Sequence, residues 1–179
     1  MFGRQQKYHQ RNQDVEITAH VTLEEVLNGS QKNLNINLMN GNFRTVTIHI
    51  PRGVHEGSKI RYNSMGDDSV PGPPGNLIVT YRLKKHNRFW TDGYNLNEKI
   101  NISLKTALFG GDIPISGIDG SQFKLNIKAG TSPNTKLRIP QCGLPQPNQP
   151  NGDLILHIDV SIPPLTVDNL NTPIGELLE

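Results

Sequence analysis

The fold is decided by residues 15–38, which read VEITAHVTLEEVLNGSQKNLNINL. Apolar residues alternate with polar ones over 15–21 and again over 34–38, the pattern of half-buried β-strands. In the segment between them, Thr22 and Glu25 have the spacing of a helix capping box, and the glycine that closes TLEEVLNG is typical of a helix end. The stretch therefore predicts a strand, a helix of one or two turns, and a second strand.

The same order of elements occurs twice in the chain. LEEVLNG, which begins at Leu23, corresponds to LKTALFG, which begins at Leu104, at an offset of 81. GNLIV, from Gly75, corresponds to GDLIL, from Gly152, at an offset of 77. The smaller second offset predicts a shorter hairpin in the second copy. We interpret the repeat as duplication of a small β-domain, with chance similarity between two β segments as the alternative. The expected fold is all-β with minor α, in two tandem β-sandwich-like subdomains.

Four parts are expected along the chain. They are a flexible basic lead over 1–13, a first subdomain over 14–88, a second subdomain over 89–165, and a short tail over 166–179. The lead has almost no aliphatic side chain to bury. The tail contains TPIGELLE, which predicts a two-turn helix capped by Thr172 that docks on its own body or on another copy.

Composition excludes several classes of protein. The formal charge of +2, from 18 basic and 16 acidic residues, is too small to argue for binding to nucleic acid. No apolar run approaches the roughly 20 residues of a membrane-spanning helix. The single Cys142 excludes an intrachain disulfide framework and a multi-cysteine zinc site, and no signal segment opens the chain. We therefore expect a cytoplasmic protein without nucleic-acid or membrane partners.

The chain offers no constellation that supports catalysis. Three of its six histidines, His20, His49 and His157, lie on the polar side of their strands and predict solvated surface residues, because no histidine pair has metal-ligand spacing. Asp67 and Asp68 lie in a Gly/Pro-rich loop, where turn chemistry is the expected role. There is no nucleophile elbow, P-loop or dinucleotide fingerprint. We expect no enzyme activity, no metal and no other cofactor.

One strand suggests a peptide-binding groove. Over residues 29–38, Lys32, Leu34, Ile36 and Leu38 share one face. If this strand lies at a sheet edge, its unpaired backbone groups can accept an extended peptide as an added strand, and the apolar face supplies side-chain pockets. The alternative is that Leu34 and Ile36 fill the core of the domain. Periodicity alone favours this alternative.

A series of motifs resembles the C-terminal substrate-binding region of the J-domain (DnaJ) family of co-chaperones. In chain order the motifs are VTLEEVLNGSQKNLNI, IPRGVHEGSKIRYNSMGD, GNLIVTYRLKKHNRFWTDGYNL, SLKTALFGG, KLRIPQCGLP and NGDLILHIDV. The resemblance covers about residues 14–165. It implies two β-rich subdomains in tandem, a hydrophobic groove on the first, and homodimerisation through the C-terminal segment.

The resemblance also implies particular site residues. The positions that match the peptide groove of the family are Ile17, Ala19, Leu34, Ile36 and Val79. Lys32 and Lys84 match the basic positions that hold the acidic Glu-Glu-Val-Asp tail of the seventy-kilodalton heat-shock chaperone. A lysine beside an apolar trough suits a chain end that bears carboxylates.

This sequence departs from the family in several places. It contains no J domain and no His-Pro-Asp tripeptide, so it is not expected to stimulate ATP hydrolysis by the partner. It also contains no cysteine-rich zinc module, so it resembles the class B members. Whether the native protein has an upstream J domain stays open. Phe89-Trp-Thr-Asp-Gly93 has threonine where the family often has arginine. We expect a module that holds hydrophobic segments of unfolded client polypeptides. The alternative is a structural or assembly protein that reuses the duplicated scaffold for fixed contacts.

Overall fold

The computed structural model describes residues 12–162. The chain divides into two compact units, with the boundary between Lys84 and Lys85. Most of the expected lead and the whole expected tail helix lie outside the described residues. The last two residues of the lead lie within them, and Asn12 donates hydrogen bonds to the carbonyl oxygens of Val70 and Pro73, each at 3.0 Å.

Unit 1 is built from five strands and one short helix. These are β1 (Val15–Val21), α1 (Leu23–Asn28), β2 (Ser30–Asn37), β3 (Phe43–Ile50), β4 (Lys59–Tyr62) and β5 (Leu77–Leu83). A three-stranded sheet has the order β1-β5-β4, with β1 parallel and β4 antiparallel to β5. β2 and β3 form a separate antiparallel hairpin. Because the central strand is the last one in sequence, the sheet closes only when both ends of the unit come together.

The predicted helix and its caps are confirmed in α1. The Thr22 hydroxyl accepts a hydrogen bond from the Glu25 amide at 3.3 Å, and the Glu25 carboxylate accepts one from the Thr22 amide at 2.8 Å. Gly29 ends the helix with φ of 72°, a value that side chains disfavour. The helix thus carries the chain from the end of β1 to the start of β2.

The core of unit 1 lies between the inner faces of the sheet and the hairpin. Its fully buried members come from both, and they include Ala19, Val21, Ile36, Ile48, Ile50, Leu77, Val79 and Tyr81. The Tyr81 and Tyr62 hydroxyls lie 2.6 Å apart, and Tyr62 also donates to the carbonyl oxygen of His49 at 2.6 Å. Burial raises the pKa of Tyr81 well above its ordinary value. This hydroxyl chain satisfies a buried polar group and ties β4 and β5 to β3.

Unit 2 repeats the topology of unit 1 with one added strand. Its elements are β6 (Phe89–Asp92), β7 (Asn95–Ser103), α2 (Leu104–Phe109), β8 (Gly111–Ser116), β9 (Gln122–Ile127), β10 (Lys136–Ile139) and β11 (Leu154–Ser161). The main sheet has the order β10-β11-β7-β6, with β7 parallel to β11 and β10 antiparallel to it. β8 and β9 form the hairpin. From β7 to β11 the order and pairing match β1 to β5, which confirms the all-β class with minor helix.

Two features of unit 2 bear on the sequence predictions. Each strand of its hairpin has six residues, against eight in unit 1, which confirms the shorter second hairpin. β6 was not expected, since the sequence placed the boundary between the two subdomains at residues 88 and 89, next to a run of polar and charged residues. It pairs antiparallel with β7 and has no counterpart among the described residues of unit 1.

Candidate functional site

Two neighbouring strands of unit 1 each have one edge without a backbone partner among residues 12–162. β1 pairs only with β5, and β2 pairs only with β3. The two strands contact each other, and α1 connects them. Because a strand edge presents unpaired N–H and C=O groups, each can accept a further strand. We use the name β1–β2 groove for the inner-face residues of this region, namely Ile17, Ala19, Leu34, Ile36 and Val79.

The five groove residues differ in depth. Ile36 and Val79 are 0% exposed and Ala19 is 1% exposed, so these three belong to the core. Ile17 and Leu34 are half-buried, and Ile17 lies directly opposite Val79 in the β1–β5 register. The expected core role therefore holds for Ile36 and only partly for Leu34. Of the five positions, Ile17 and Leu34 are the two that a guest side chain can reach.

The two predicted lysines lie at the same end of β1. Lys32 Nζ donates to the carbonyl oxygen of His20 at 2.8 Å, so this side chain spans the gap from β2 to β1. The backbone amide of Lys84 donates to the carbonyl oxygen of Val21 at 2.7 Å, at the position that follows His20 in β1. The structure thus brings both lysines to the C-terminal end of β1.

Acidic side chains accompany these lysines. Lys32 Nζ lies 3.2 Å from Glu25 Oε1, and the two side chains are 27% and 28% exposed. Glu56 accepts hydrogen bonds from the Arg82 guanidinium at 2.7 Å and from the Leu83 amide at 2.6 Å. The Arg82 contact, followed by that amide, holds the pKa of Glu56 below its usual value. Lys32 therefore has a carboxylate partner in Glu25, which the sequence did not indicate.

The outer face of the hairpin is polar. Asn33 accepts a hydrogen bond from the Thr47 hydroxyl and Asn35 accepts one from the Thr45 hydroxyl, each at 2.8 Å. Each pair is directly cross-strand in the β2–β3 register. Of the two faces of β2, only the inner one is apolar.

Exposed apolar residues at the hairpin tip were missed from the sequence. Met39 is 58% exposed and Phe43 is 76% exposed. The available signal was the position of Phe43, which has the opposite parity to the buried Val46 and Ile48 of the same strand. A large aromatic side chain on the polar face of a strand is a candidate contact residue.

One other expectation from the sequence needs correction. His20 and His49 are exposed as predicted, but His157 is half-buried, with Nε2 2.9 Å from Asn97 Oδ1 and its ring centroid 5.1 Å from that of Trp90. The reason is that the outer face of β11 is covered by the neighbouring β7 and β6 side chains. This histidine has a structural contact where a solvated surface residue was predicted.

The aspartate pair lies in the Gly/Pro-rich loop, where Asp67 accepts a hydrogen bond from Ser69 two residues on, as expected of turn chemistry. Asp67 is 1% exposed and accepts hydrogen bonds from the Ser69 hydroxyl at 2.5 Å and the Met39 amide at 3.0 Å. The Ser69 hydroxyl, more than the backbone amides, holds the pKa of Asp67 below its ordinary value against the effect of burial. Asp68 is at the surface, 2.9 Å from Arg44. Asp67 therefore joins its loop to the hairpin tip.

Residues 12–162 lack two other features, a cluster of metal-binding side chains and a membrane-spanning helix. Groups of three or more histidine, cysteine or acidic side chains able to hold a metal ion do not occur there. Both helices of that part of the chain have six residues, and neither is long and apolar enough to cross a membrane.

The fold defines a class of protein: a tandem of duplicated β-units, the first of which has two strand edges without backbone partners among residues 12–162. The chain belongs to the DnaJ C-terminal domain family, since the model of that family, described as DnaJ C terminal domain, matches residues 15–163. This confirms the family resemblance of the sequence motifs.

Similar proteins from several bacteria share the name chaperone protein DnaJ. The chain is 34% identical over 138 residues to the chaperone protein DnaJ of Chelativorans sp. (strain BNC1), which covers 76% of this chain and 36% of that protein. It is 36% identical over 138 residues to the chaperone protein DnaJ of Rickettsia prowazekii (strain Madrid E), with the same shares of the two chains. For the chaperone protein DnaJ of Orientia tsutsugamushi (strain Boryong), the identity is 36% over 124 residues, 68% of this chain and 33% of that protein. The chain thus spans about a third of the length of these curated relatives.

Proposed function

We propose that this chain is the substrate-binding module of a DnaJ-type co-chaperone and that it holds exposed hydrophobic segments of unfolded polypeptides in the β1–β2 groove. The observation that carries the proposal is the half-buried pair Ile17 and Leu34 beside two strand edges without backbone partners among residues 12–162. An extended peptide can form backbone hydrogen bonds with such an edge while its side chains enter the apolar groove. The name shared by the relatives supports the same function.

The expected affinity is low. One large apolar side chain that buries about 150 Å² at roughly 25 cal/mol per Å² contributes about 4 kcal/mol. Loss of translational and rotational freedom and ordering of the peptide offset much of this gain, so we expect dissociation constants in the micromolar range or weaker. Weak binding fits a module that has to release its client.

The client test uses the two reachable groove residues. Ile17→Ser and Leu34→Ser each remove apolar surface at the opening of the groove, and we expect each to lose most of the protection of an aggregating client, measured by light scattering. Ile78→Ser is the matched control, because Ile78 is also half-buried but lies on the opposite face of its sheet. Protection that is equal in all three variants would exclude this groove.

We further propose that Lys32 and Lys84 bind the acidic C-terminal tail of a seventy-kilodalton heat-shock chaperone. The position of both residues near the end of β1 supports the proposal, since ammonium groups suit a peptide end that has several carboxylates. Lys32→Glu should weaken binding of a peptide that ends in Glu-Glu-Val-Asp by about tenfold in calorimetric titration. Lys59→Glu, on β4, is the control with the same charge change. Equal titrations for both variants would argue against this site.

The same proposal includes a homodimer, formed through the C-terminal segment, in the cytoplasm. Concentration-dependent light scattering of the full chain tests the dimer. A dimer that protects clients agrees with the proposal, whereas large regular assemblies without client protection would favour a structural or assembly role.

A further inference from the structure

The hairpin of unit 1 has an open edge on the side opposite to the β1–β2 groove. There β3 pairs with β2, and no other strand among residues 12–162 pairs with it. The Leu38 amide donates to the carbonyl oxygen of Asn42 at 2.8 Å, which fixes the alternation along the hairpin. The backbone groups of residues 44, 46, 48 and 50 therefore face β2, and those of residues 43, 45, 47 and 49 face the open edge.

One end of this edge is occupied by a side chain. Tyr62 of β4 donates to the carbonyl oxygen of His49 at 2.6 Å, which agrees with a His49 backbone that faces away from β2. At the other end, the chain turns back into β2 just before Phe43. The stretch that a further strand can reach is thus residues 43–47, where Phe43, Thr45 and Thr47 direct their backbone groups outward.

The side chains on the outer face of the hairpin include no lysine, arginine, aspartate or glutamate. All of them are exposed, and they are Gln31, Asn33, Asn35 and Asn37 on β2 and Phe43, Thr45, Thr47 and His49 on β3. Proteins commonly protect an open strand edge with lysine, with proline or by keeping the strand short. β3 has eight residues and contains neither lysine nor proline. Its edge is therefore long and unprotected.

The corresponding strand of unit 2 is protected. The Gly117 amide donates to the carbonyl oxygen of Ser121 at 2.8 Å, so residues 122, 124 and 126 of β9 face the open edge. Lys124 is in this row, with its Nζ 2.9 Å from Asp112 and its side chain 77% exposed. The other strand of the hairpin contains Pro114. Two copies that paired at β9 would bring their Lys124 ammonium groups together, whereas β3 presents no such charge.

We propose that the open edge of β3 is a self-association surface, at which two copies of this chain pair antiparallel around a two-fold axis. The pairing joins the two hairpins into one sheet with the order β2-β3-β3-β2. Thr45 of each copy lies opposite Thr45 of the other, and Phe43 of each copy lies opposite Thr47 of the other. This surface is separate from the C-terminal segment of the proposed homodimer and from the β1–β2 groove.

Three features favour a second copy as the occupant of this edge. An antiparallel strand pair is self-complementary under a two-fold axis, because both strands supply the same donors and acceptors. The uncharged outer faces bring no like charges together. Phe43, which is 76% exposed, gains a cross-strand contact with a β-branched side chain, a favourable pair in sheets. With Thr45 on the axis, the paired stretch is residues 43–47 of both copies, so it ends before Tyr62.

Cysteine cross-linking of the full chain tests this register. Cys142→Ser removes the native thiol, and either Thr45→Cys or Thr47→Cys is then added. Directly opposite residues in a hydrogen-bonded antiparallel pair have Cα atoms about 5.5 Å apart, within the range of a disulfide. The two copies of residue 47 would be four residues out of register, about 14 Å apart along the strands. In oxidised glutathione, we therefore expect Thr45→Cys to form dimers about tenfold faster than Thr47→Cys.

Thr47→Cys is a matched control, because residues 45 and 47 are exposed threonines on the same face of the same strand, and each is hydrogen-bonded to an asparagine of β2. Equal rates for the two variants would indicate random collision and overturn the inference. Faster cross-linking of Thr47→Cys would place the axis at residue 47 and would also overturn the proposed pairing.

A charge exchange tests the same contact without added thiols. Thr45→Lys and Thr45→Glu each place two like charges opposite one another, and each alone should weaken self-association about tenfold in sedimentation equilibrium. An equimolar mixture of the two variants should restore the association, because opposite charges then face each other. Thr18→Lys, at an exposed position of β1, is the control and should leave the association unchanged.

The failure of this inference is distinguishable from failure of the proposed function. Circular dichroism checks the fold of each variant, and Thr45→Lys should protect an aggregating client as well as the wild type does. A mixture of Thr45→Lys and Thr45→Glu that associates no better than either variant alone would overturn the inference, even where client protection is intact. Equal weakening by Thr18→Lys would also overturn it, since the effect would then follow net charge and not the edge of β3.

Discussion

Ile36 and Leu34 lie on the same face of the same strand, yet truncating them should have very different consequences. Ile36 is 0% exposed, whereas Leu34 is half-buried at the opening of the β1–β2 groove. Ile36→Ala removes three buried carbon atoms and leaves a cavity between sheet and hairpin, which costs about 3 kcal/mol of unfolding free energy. Leu34→Ala gives up only a partly buried side chain and should cost about 1 kcal/mol.

The difference is measurable by urea denaturation followed by far-ultraviolet circular dichroism. With a slope of about 1 kcal/mol per M for a unit of this size, the midpoint should fall by about 3 M for Ile36→Ala and by about 1 M for Leu34→Ala. A domain of this length has a total stability of only roughly 4 to 12 kcal/mol, so Ile36→Ala removes a large share of it. Equal midpoint shifts would refute the division of the groove into core and opening. For the same reason, client-binding tests should change Leu34 and leave Ile36 intact.

Three further changes test local interactions. Thr22→Ala removes one half of the capping box and should lower the unfolding free energy by about 1 kcal/mol in urea denaturation, whereas Thr22→Ser should restore it. Asp67→Asn should lower stability at pH 7. The pKa of Asp67 is depressed in the fold, so its contribution to the unfolding free energy is present above the unfolded pKa of about 3.9 and is lost as pH falls through the folded value. The urea midpoints of the variant and the wild type should therefore converge below about pH 4. Glu25→Gln keeps a capping-box side chain but removes the charge beside Lys32. It should strengthen binding of an acidic peptide about threefold in calorimetry. An unchanged affinity would mean that Glu25 does not compete with the peptide for Lys32.

Sequence periodicity predicted the faces of the strands but not the depth of their side chains. Leu34 and Ile36 have the same parity, and alternation with period two assigns both to the inner face. Which of them reaches solvent depends on how far the β1–β5 sheet extends over the hairpin. That overlap is set by contacts between elements distant in sequence, which a local pattern does not contain.

The strand β6 was the main element that the sequence reasoning missed. Its four residues, FWTD, contain too little alternation to stand out, and the charged and polar residues before them suggested a linker. A usable signal was present in Asp92-Gly93, because Asp-Gly between two short strands is typical of a tight hairpin. Gly93 has φ of 60° in that turn.

The role of Lys32 shows a similar limit. The family resemblance implied a role for Lys32, and its Nζ donates to the carbonyl oxygen of His20 in β1. Its partner Glu25 lies on a different element, the helix α1, and its contact with the His20 carbonyl oxygen crosses from β2 to β1. Such contacts follow from the tertiary arrangement, so composition and spacing could not reveal them.

The parallel pairing of β1 with β5, and of β7 with β11, determines when each unit can form during synthesis. Val15 pairs with Leu77, and Leu96 pairs with Leu154, so each pairing encloses nearly all of its unit. Closing such long loops is slow, while the hairpins between them need only local contacts. At roughly 5 to 20 residues per second, a ribosome takes several seconds to deliver β5 after β1 has emerged. Until then β1 has two open edges, so the nascent chain of this module is itself exposed to aggregation.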